Sequence, residues 1–340
     1  MSARAIVVLA VCAATLARPA LAEPVADFYG HTPLTIIVGS GAGGGYDVYA
    51  RVLAQHFAAH IPGHPAIVVK DQPGAGGLTN FNYMYRTAPR DGSEIAASTN
   101  TGTLLPLLGD SGAQFDARQF NWIGSIGKQQ AVCTTWHTVP IKTIEDARKQ
   151  QVLVSATSQN ATPAVLPRIL NALFDTKFKV ISGYSTSEMH LALEKGEVQG
   201  ICGLAWQTLQ SSAPAWIAND DLNVLLQMGL VKDKDLPDVP LALDLLSNPE
   251  DQAFFRLTVL TGEFGRPFVA PPGVPVDRVE ALRTALLETV RDPAFLADAS
   301  KANMPVDPLD GAQIQALLNE AYSAPQPMRD RVAKYFLPEH

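Results

Sequence analysis

The sequence predicts an α/β protein of two lobes, each a mainly parallel sheet flanked by helices. Three observations lead there. Short β-branched runs alternate with segments of helical periodicity along nearly the whole chain, as strands covered by crossover helices do. At 340 residues the chain is long enough for two separate cores. No repeat, low-complexity stretch or long proline- or serine-rich linker parts the halves, which suits lobes joined by more than one crossing.

In chain order, residues 1–22 (MSARAIVVLAVCAATLARPALA) come first: a cation at Arg4, an apolar stretch over 5–17, and Ala20-Leu21-Ala22. This predicts a secretory signal peptide cleaved before Glu23. A lipid anchor at Cys12 is disfavoured, because Val11 is large where a small residue is needed and the segment before it is too short. Strands are predicted at 34–38, 66–70, 94–98, 120–124, 131–135, 151–155, 178–182, 198–202, 223–227 and 267–270. Helices are predicted at 46–60, 77–87, 143–149, 162–173, 186–195, 250–262, 275–291 and 310–323. Thr162 before Pro163 marks a helix start, Gly196 a stop, and Val279, Leu282, Leu286 and Val290 form one apolar stripe after Pro275. The segments at 120–135 and 223–228 are the expected crossings. They make lobe I residues 23–128 plus 229–340, and lobe II residues 129–228.

The formal net charge is −7, and loss of Arg4 and Arg18 with the leader makes it more negative. Such a chain has no broad field for nucleic acid or an anionic membrane. An anionic ligand must therefore be held by local dipoles and a few placed cations.

Glycine loops follow the first two predicted strands. The first, Val38-Gly39-Ser40-Gly41-Ala42-Gly43-Gly44-Gly45-Tyr46-Asp47, opens a helix; the second is Pro73-Gly74-Ala75-Gly76-Gly77. A third loop, Ser98-Thr99-Asn100-Thr101-Gly102-Thr103, follows the third strand. Such loops leave the first helical N–H groups free and let an anion approach the backbone. Three in succession describe one anion site at the carboxyl edge of a sheet.

Gly39, Gly41 and Gly44 also fit the dinucleotide spacing G-x-G-x-x-G, and Asp71 ends the second strand where an acid would meet a ribose. The third consecutive glycine at 45, the glycine loop directly after Asp71, and export away from a ready supply of NAD argue against that reading. The phosphate-loop pattern fails as well, since Gly44 is followed by Gly45-Tyr46.

The ordered series GGGYDVYAR, DQPGAGG, APRDGSEI and TNTGTL, with the C-terminal APPGVPVDRV through RDPAF, resembles the substrate-binding proteins of tripartite tricarboxylate transporters, the Bug-type periplasmic receptors. The resemblance covers most of the chain after the leader. It implies a type II periplasmic binding fold that closes like a Venus flytrap over a small organic acid, a di- or tricarboxylate or an aromatic acid. It further implies a monomeric, non-enzymatic protein in the periplasm, without metal or cofactor, that delivers the acid to a two-component membrane permease. The implied ligand contacts from lobe I are Ser40, Gly41, Ala42, Gly43, Gly44, Gly45, Tyr46, Gly74, Ala75, Gly76, Gly77, Thr99, Asn100, Thr101 and Thr103. Those from lobe II are Thr157, Ser158, Gln159, Asn160, Tyr184 and Ser185. The chain departs from the family at Gly39-Ser40-Gly41, where Pro-Phe is frequent, at Tyr46, and at Ser182-Gly183-Tyr184 in place of Pro-Tyr. Tyr46, Tyr184 and Trp206 are candidate walls for a flatter or longer acid, with core packing as the alternative.

Other residues have plainer readings. Asp47 in a first helical turn favours a capping role and a pair with Arg51 at i,i+4. His56, His60 and His64 are spaced by four, but Pro62-Gly63 intervenes and a solvated helix face is expected rather than a metal site. Ile123-Gly124-Ser125-Ile126-Gly127 misses the hydrolase nucleophile pattern, His137 and His190 lie beside no nucleophile motif, and Lys232-Asp233-Lys234-Asp235 reads as a solvated loop. Cys133 and Cys202 are either a disulfide or two buried thiols. The rival functions are an exported hydrolase working in the same cleft, and a binding protein that only senses.

Overall fold

The protein is described by a computed structural model over residues 23–337; the predicted leader lies outside the described residues. The chain enters through α1 (Val25–His31) and lays down β1 (Leu34–Val38), α2 (Gly45–Phe57), β2 (Ile67–Asp71), α3 (Leu78–Arg86), β3 (Glu94–Ala97) and β4 (Asn121–Ser125). It then builds a second sheet from β5 (Ala131–Trp136), α4 (Ile144–Lys149), β6 (Val152–Ala156), α5 (Thr162–Phe174), β7 (Phe178–Ser182) and α6 (Thr186–Glu194). That sheet is completed by β8 (Gly200–Ala205), α7 (Trp206–Ser212), α8 (Pro214–Ala218) and β9 (Leu222–Met228). After α9 (Pro249–Val259) the chain returns to the first sheet with β10 (Pro267–Ala270), α10 (Val276–Thr289), α11 (Pro293–Lys301) and β11 (Leu309–Asp310). It closes with α12 (Gly311–Tyr322) and α13 (Gln326–Phe336).

The strand orders are β11-β4-β10-β3-β1-β2 and β7-β6-β8-β5-β9. Parallel pairing joins β1 to β2 and β3, and β6 to β7 and β8. The remaining pairs are antiparallel, so both sheets are mixed rather than mainly parallel. The strands flanking the passages between sheets, β4, β5, β9 and β10, carry the antiparallel pairs, because a chain leaving one sheet and later returning to it enters against the strand direction.

Alternation along β1 explains the first core. Leu34, Ile36 and Val38 face Tyr49, Leu53 and Phe57 of α2 and Leu282 of α10, all almost fully buried, and Ile37 faces the opposite layer with Phe81 and Trp122. Each such side chain contributes about 1.5–3 kcal/mol by leaving water. In the second core Val152 and Val154 pack on Val165, Ile169 and Leu170 of α5. Phe254 of α9 and Val332 and Phe336 of α13 join the same cluster, so the last helix rests against α5.

The two passages between sheets lie side by side. Ile126 N–H donates to the Arg266 carbonyl at 3.2 Å, Arg266 N–H to the Gly127 carbonyl at 3.1 Å, and Gln129 N–H to the Gly262 carbonyl at 2.7 Å. Cys133 and Cys202 face each other across β5 and β8 and are disulfide-bonded.

Candidate ligand-binding cleft

The three loops at the ends of β1, β2 and β3 converge on one side of the first sheet. Gly39 N–H continues the β1–β3 ladder to the Ala97 carbonyl, after which the chain peels away into the first glycine loop. Helix α2 begins at Gly45 with Gly44 as its N-cap and no side-chain cap, so its first amides remain available. Asp47 leaves those amides free and takes the structural part expected of it, the i,i+4 pair with Arg51 included. Its carboxylate accepts from Gly43 N–H at 2.8 Å and pairs with Arg51 at 2.6 Å, buried and turned from the cleft. Arg51 also reaches Asp71 at 3.1 Å, and burial together with the neighbouring Asp47 raises the Asp71 pKa above the usual carboxylate value. Asp71 is thus committed to Arg51 and offers nothing to a ribose.

The second loop ends in a single 3₁₀ turn, Ala75–Gly77, before α3. Gly76 adopts φ 65°, a conformation that favours glycine, and a Cβ there would stand 2.7 Å from Asn160 Oδ1 and push that side chain aside. Asn160 reaches across from the loop after β6 to donate to the Ala75 carbonyl at 3.2 Å. From the third loop, the Thr99 hydroxyl donates to the Gly76 carbonyl at 2.7 Å and locks the two loops together. The second sheet contributes the segment between β6 and α5, which starts after Ala161 without a side-chain cap and with Pro163 in its first turn. It also contributes Tyr184 and Ser185 before α6, whose N-terminus is already closed by a Ser185–Glu188 capping box.

These segments enclose a cavity of about 400 Å³. Of the residues expected from sequence, Ser40, Gly41, Ala42, Gly44, Gly45, Tyr46, Gly74, Ala75, Gly76, Gly77, Thr99, Thr101, Thr157, Ser158, Tyr184 and Ser185 line it. Gly43, Asn100, Thr103, Gln159 and Asn160 are not in its wall. Gly43 turns its amide to Asp47. Asn100 is consumed by Thr101 N–H, the Thr261 carbonyl and Tyr46, and the buried Thr103 hydroxyl by the Asn100 carbonyl. The Gln159 carbonyl accepts from Arg168, and Asn160 bridges to the other loop. Trp206 is also absent from the wall and packs in the core with Leu209 and Trp216.

The Tyr46 hydroxyl lies 2.9 Å from Asn100 Oδ1 and 3.1 Å from Gln129 Oε1, and accepts from Asn100 N–H at 3.1 Å. Burial raises its pKa despite the adjacent Arg266, so at neutral pH it is a neutral phenol. Arg266, 2% exposed, lines the same cavity. Its Nη2 donates to Thr208 Oγ1 at 2.8 Å and its Nη1 to the Gly265 carbonyl at 3.3 Å, while Nε has no partner. The guanidinium lies 4.9 Å and 4.8 Å from the ring centres of Tyr46 and Tyr49.

Residues 49–328 match the tripartite tricarboxylate transporter family receptor. The chain belongs to that family. The receptor is 26% identical over 298 residues to a UPF0065 protein in the gbd 5′ region of Cupriavidus necator, spanning 85% of this chain and 83% of that one. It shares its fold with the periplasmic binding protein BugD, with TM-score 0.69, 18% identity, and 89% and 97% of the two chains covered. It is also similar to MatC from Rhodopseudomonas palustris, solved with bound malate, with TM-score 0.67, 16% identity, and 88% and 98% covered. An R. palustris protein solved with adipate superposes with TM-score 0.67, 14% identity, and 89% and 97% covered. These likenesses make the fold a two-lobe type II periplasmic binding fold.

Beyond the residues expected from sequence, the wall also contains Gln129, Leu204, Thr208 and Arg266, together with Gly39, Pro73, Ala161, Thr162, Pro163 and Thr186 from the flanks of the expected loops. Arg266 carried one usable signal: an arginine directly before the fully buried strand Pro267–Ala270 has no solvent to reach. The remaining candidates fall elsewhere. His56 and His60 do not form a merely solvated face; they meet Asp298 at 3.1 Å and Asp292 at 3.0 Å and tie α2 and the 3₁₀ turn after it, Ala58–His60, to the α11 segment. No cluster able to hold a metal occurs among the described residues. Ser125 is fully buried, with its hydroxyl on the Gly127 carbonyl and accepting Arg266 N–H. In the run Lys232–Asp235, Asp233 is no free loop residue, since it accepts from Gln207 at 2.9 Å and donates its amide to Gln227 at 2.7 Å.

Proposed function

We propose that this receptor captures a small organic carboxylate between two lobes and hands it to a two-component membrane permease in the periplasm. Lobe I is read as residues 23–128 plus 229–340 and lobe II as residues 129–228, with the paired passages at 126–130 and 262–266 as the pivot. The observation that carries the reading is the make-up of the cavity wall. It combines glycine and threonine loops, an uncapped helix start at α2, and a buried arginine. Among the described residues no aspartate, glutamate, histidine or cysteine lines it, so no nucleophile–base pair is seen there and binding is favoured over hydrolysis. Malate in MatC and adipate in the R. palustris relative agree with a carboxylate ligand.

The wall fits an anion physically. Charge-assisted hydrogen bonds from backbone amides strengthen once closure removes water. The test is a calorimetric and thermal-shift screen of mono-, di- and tricarboxylates. A specific acid should raise the melting temperature in proportion to ln(1 + [L]/Kd). Silence across the whole set, with turnover of an ester or nucleotide instead, would sink the receptor reading.

A further inference from the structure

Arg266 narrows the class of acid. It is the one charged side chain in the cavity wall among the described residues, and no carboxylate stands within ion-pairing distance of it. A buried guanidinium normally has its anion, because a buried charge without a partner is costly. Here two nitrogens hold neutral oxygens and Nε holds nothing. The two tyrosine rings pack against the group, and of its three nitrogens Nε is the one left without a hydrogen-bond partner. A Cβ on Gly45 would come within 2.8 Å of Nη2, so the guanidinium lies against the first turn of α2. Cation and helix start therefore form one strong anion position.

No second such position faces it. Across the cavity the wall from the second sheet presents Pro163, Leu204 and the Tyr184 ring, and Thr157, Ser158, Thr162, Ser185 and Thr186 supply only neutral hydroxyls. Pro163 removes one amide from the first turn of α5. The start of α6 already holds the Glu188 carboxylate, which would repel another. We propose that Arg266 is the direct counter-ion of the ligand's carboxylate, and that the site selects acids bearing one carboxylate on an apolar body. This rests on the carboxylate-receptor reading above.

Isothermal titration of the purified protein with matched pairs tests it: hexanoate against adipate, benzoate against terephthalate, and benzoate against benzamide. The expected result is binding of at least one monocarboxylate, at least tenfold tighter than its dicarboxylate partner, with the amide unbound. Arg266→Gln, checked for folding by circular dichroism, should lose at least a hundredfold in affinity for that acid, and Arg266→Lys less, since it keeps the charge without the fork. A folded Arg266→Gln that binds as the wild type does, or a wild type that prefers the dicarboxylate partner, overturns the inference and leaves the receptor reading standing. If Arg266→Gln does not fold, the wild-type pairs decide alone, and equal binding of benzoate and benzamide overturns it. A wild type blind to every acid of these pairs also overturns it; the receptor reading falls with it only if the wider carboxylate screen is blank too.

Discussion

At the scale of single residues, much rests on groups that have one partner to lose. Tyr46→Phe removes the acceptor of the Asn100 amide and should cost about 1–3 kcal/mol, read as a lower urea midpoint with unchanged m value. Gly45→Val drives a side chain into Thr208 Oγ1 at 2.6 Å and Arg266 Nη2 at 2.8 Å, and should abolish ligand binding while circular dichroism stays native. Retained affinity would put the anion position elsewhere. His190 gives the chain a pH dependence. Its ring packs edge-on against Trp216 at 4.8 Å, and burial lowers its pKa below 6.5, partly offset by Glu194. The unfolded histidine takes a proton near its ordinary pKa of 6.5 and the folded one only at lower pH. Stability therefore falls as the pH drops below about 6.5, at no more than about 1.4 kcal/mol per pH unit for this one proton. His190→Phe should flatten the urea-midpoint profile between pH 7 and 5.5; an unchanged slope would assign that proton to another group.

At the scale of elements, the disulfide between β5 and β8 closes a loop of sequence separation 69. Chain entropy allows about 4 kcal/mol for such a closure, so Cys133→Ser with Cys202→Ser should lower unfolding free energy by about 2–4 kcal/mol. A loss well under 1 kcal/mol would mean that the strand pairing alone orders the denatured chain there. Strands β1 to β10 were legible in the sequence because β-branched runs have few other uses, and the glycine loops because backbone donors leave glycine where a side chain would intrude; the two-residue β11 was missed, its Asp310 read as the start of a helix. The helices α1, α7, α8, α11 and α13 escaped. Helix α7 starts at the residue after β8 with no turn residue between them, while α11 announced itself with Asp292 before Pro293 inside a segment read only as a motif. Thr208 and Gln129 were illegible for a different reason, and the one signal at Arg266, its place before a buried strand, did not disclose its partners. A lone polar residue acquires its role only from neighbours distant in sequence, as Arg266 does from Tyr46, Tyr49 and Thr208.

At the scale of the whole molecule, a ligand at a hundred times its Kd should stabilise the fold by about 2.7 kcal/mol, and the radius of gyration in solution scattering should fall if the lobes close on it. Scattering curves identical with and without a saturating acid would rule closure out. The Arg266 main chain is hydrogen-bonded to residues 126 and 127 of the neighbouring passage, so under the proposed lobe division its backbone sits at the pivot, with its guanidinium against the first turn of α2. On the same proposed division, the contact from Asn160 to Ala75 joins the two jaws. In kinetic terms the two features govern opposite directions of traffic. A charge at a pivot is in place before the jaws meet and acts on encounter, so raising ionic strength should slow association. A latch between the jaws exists only after they meet, so Asn160→Ala should hasten departure and leave arrival untouched.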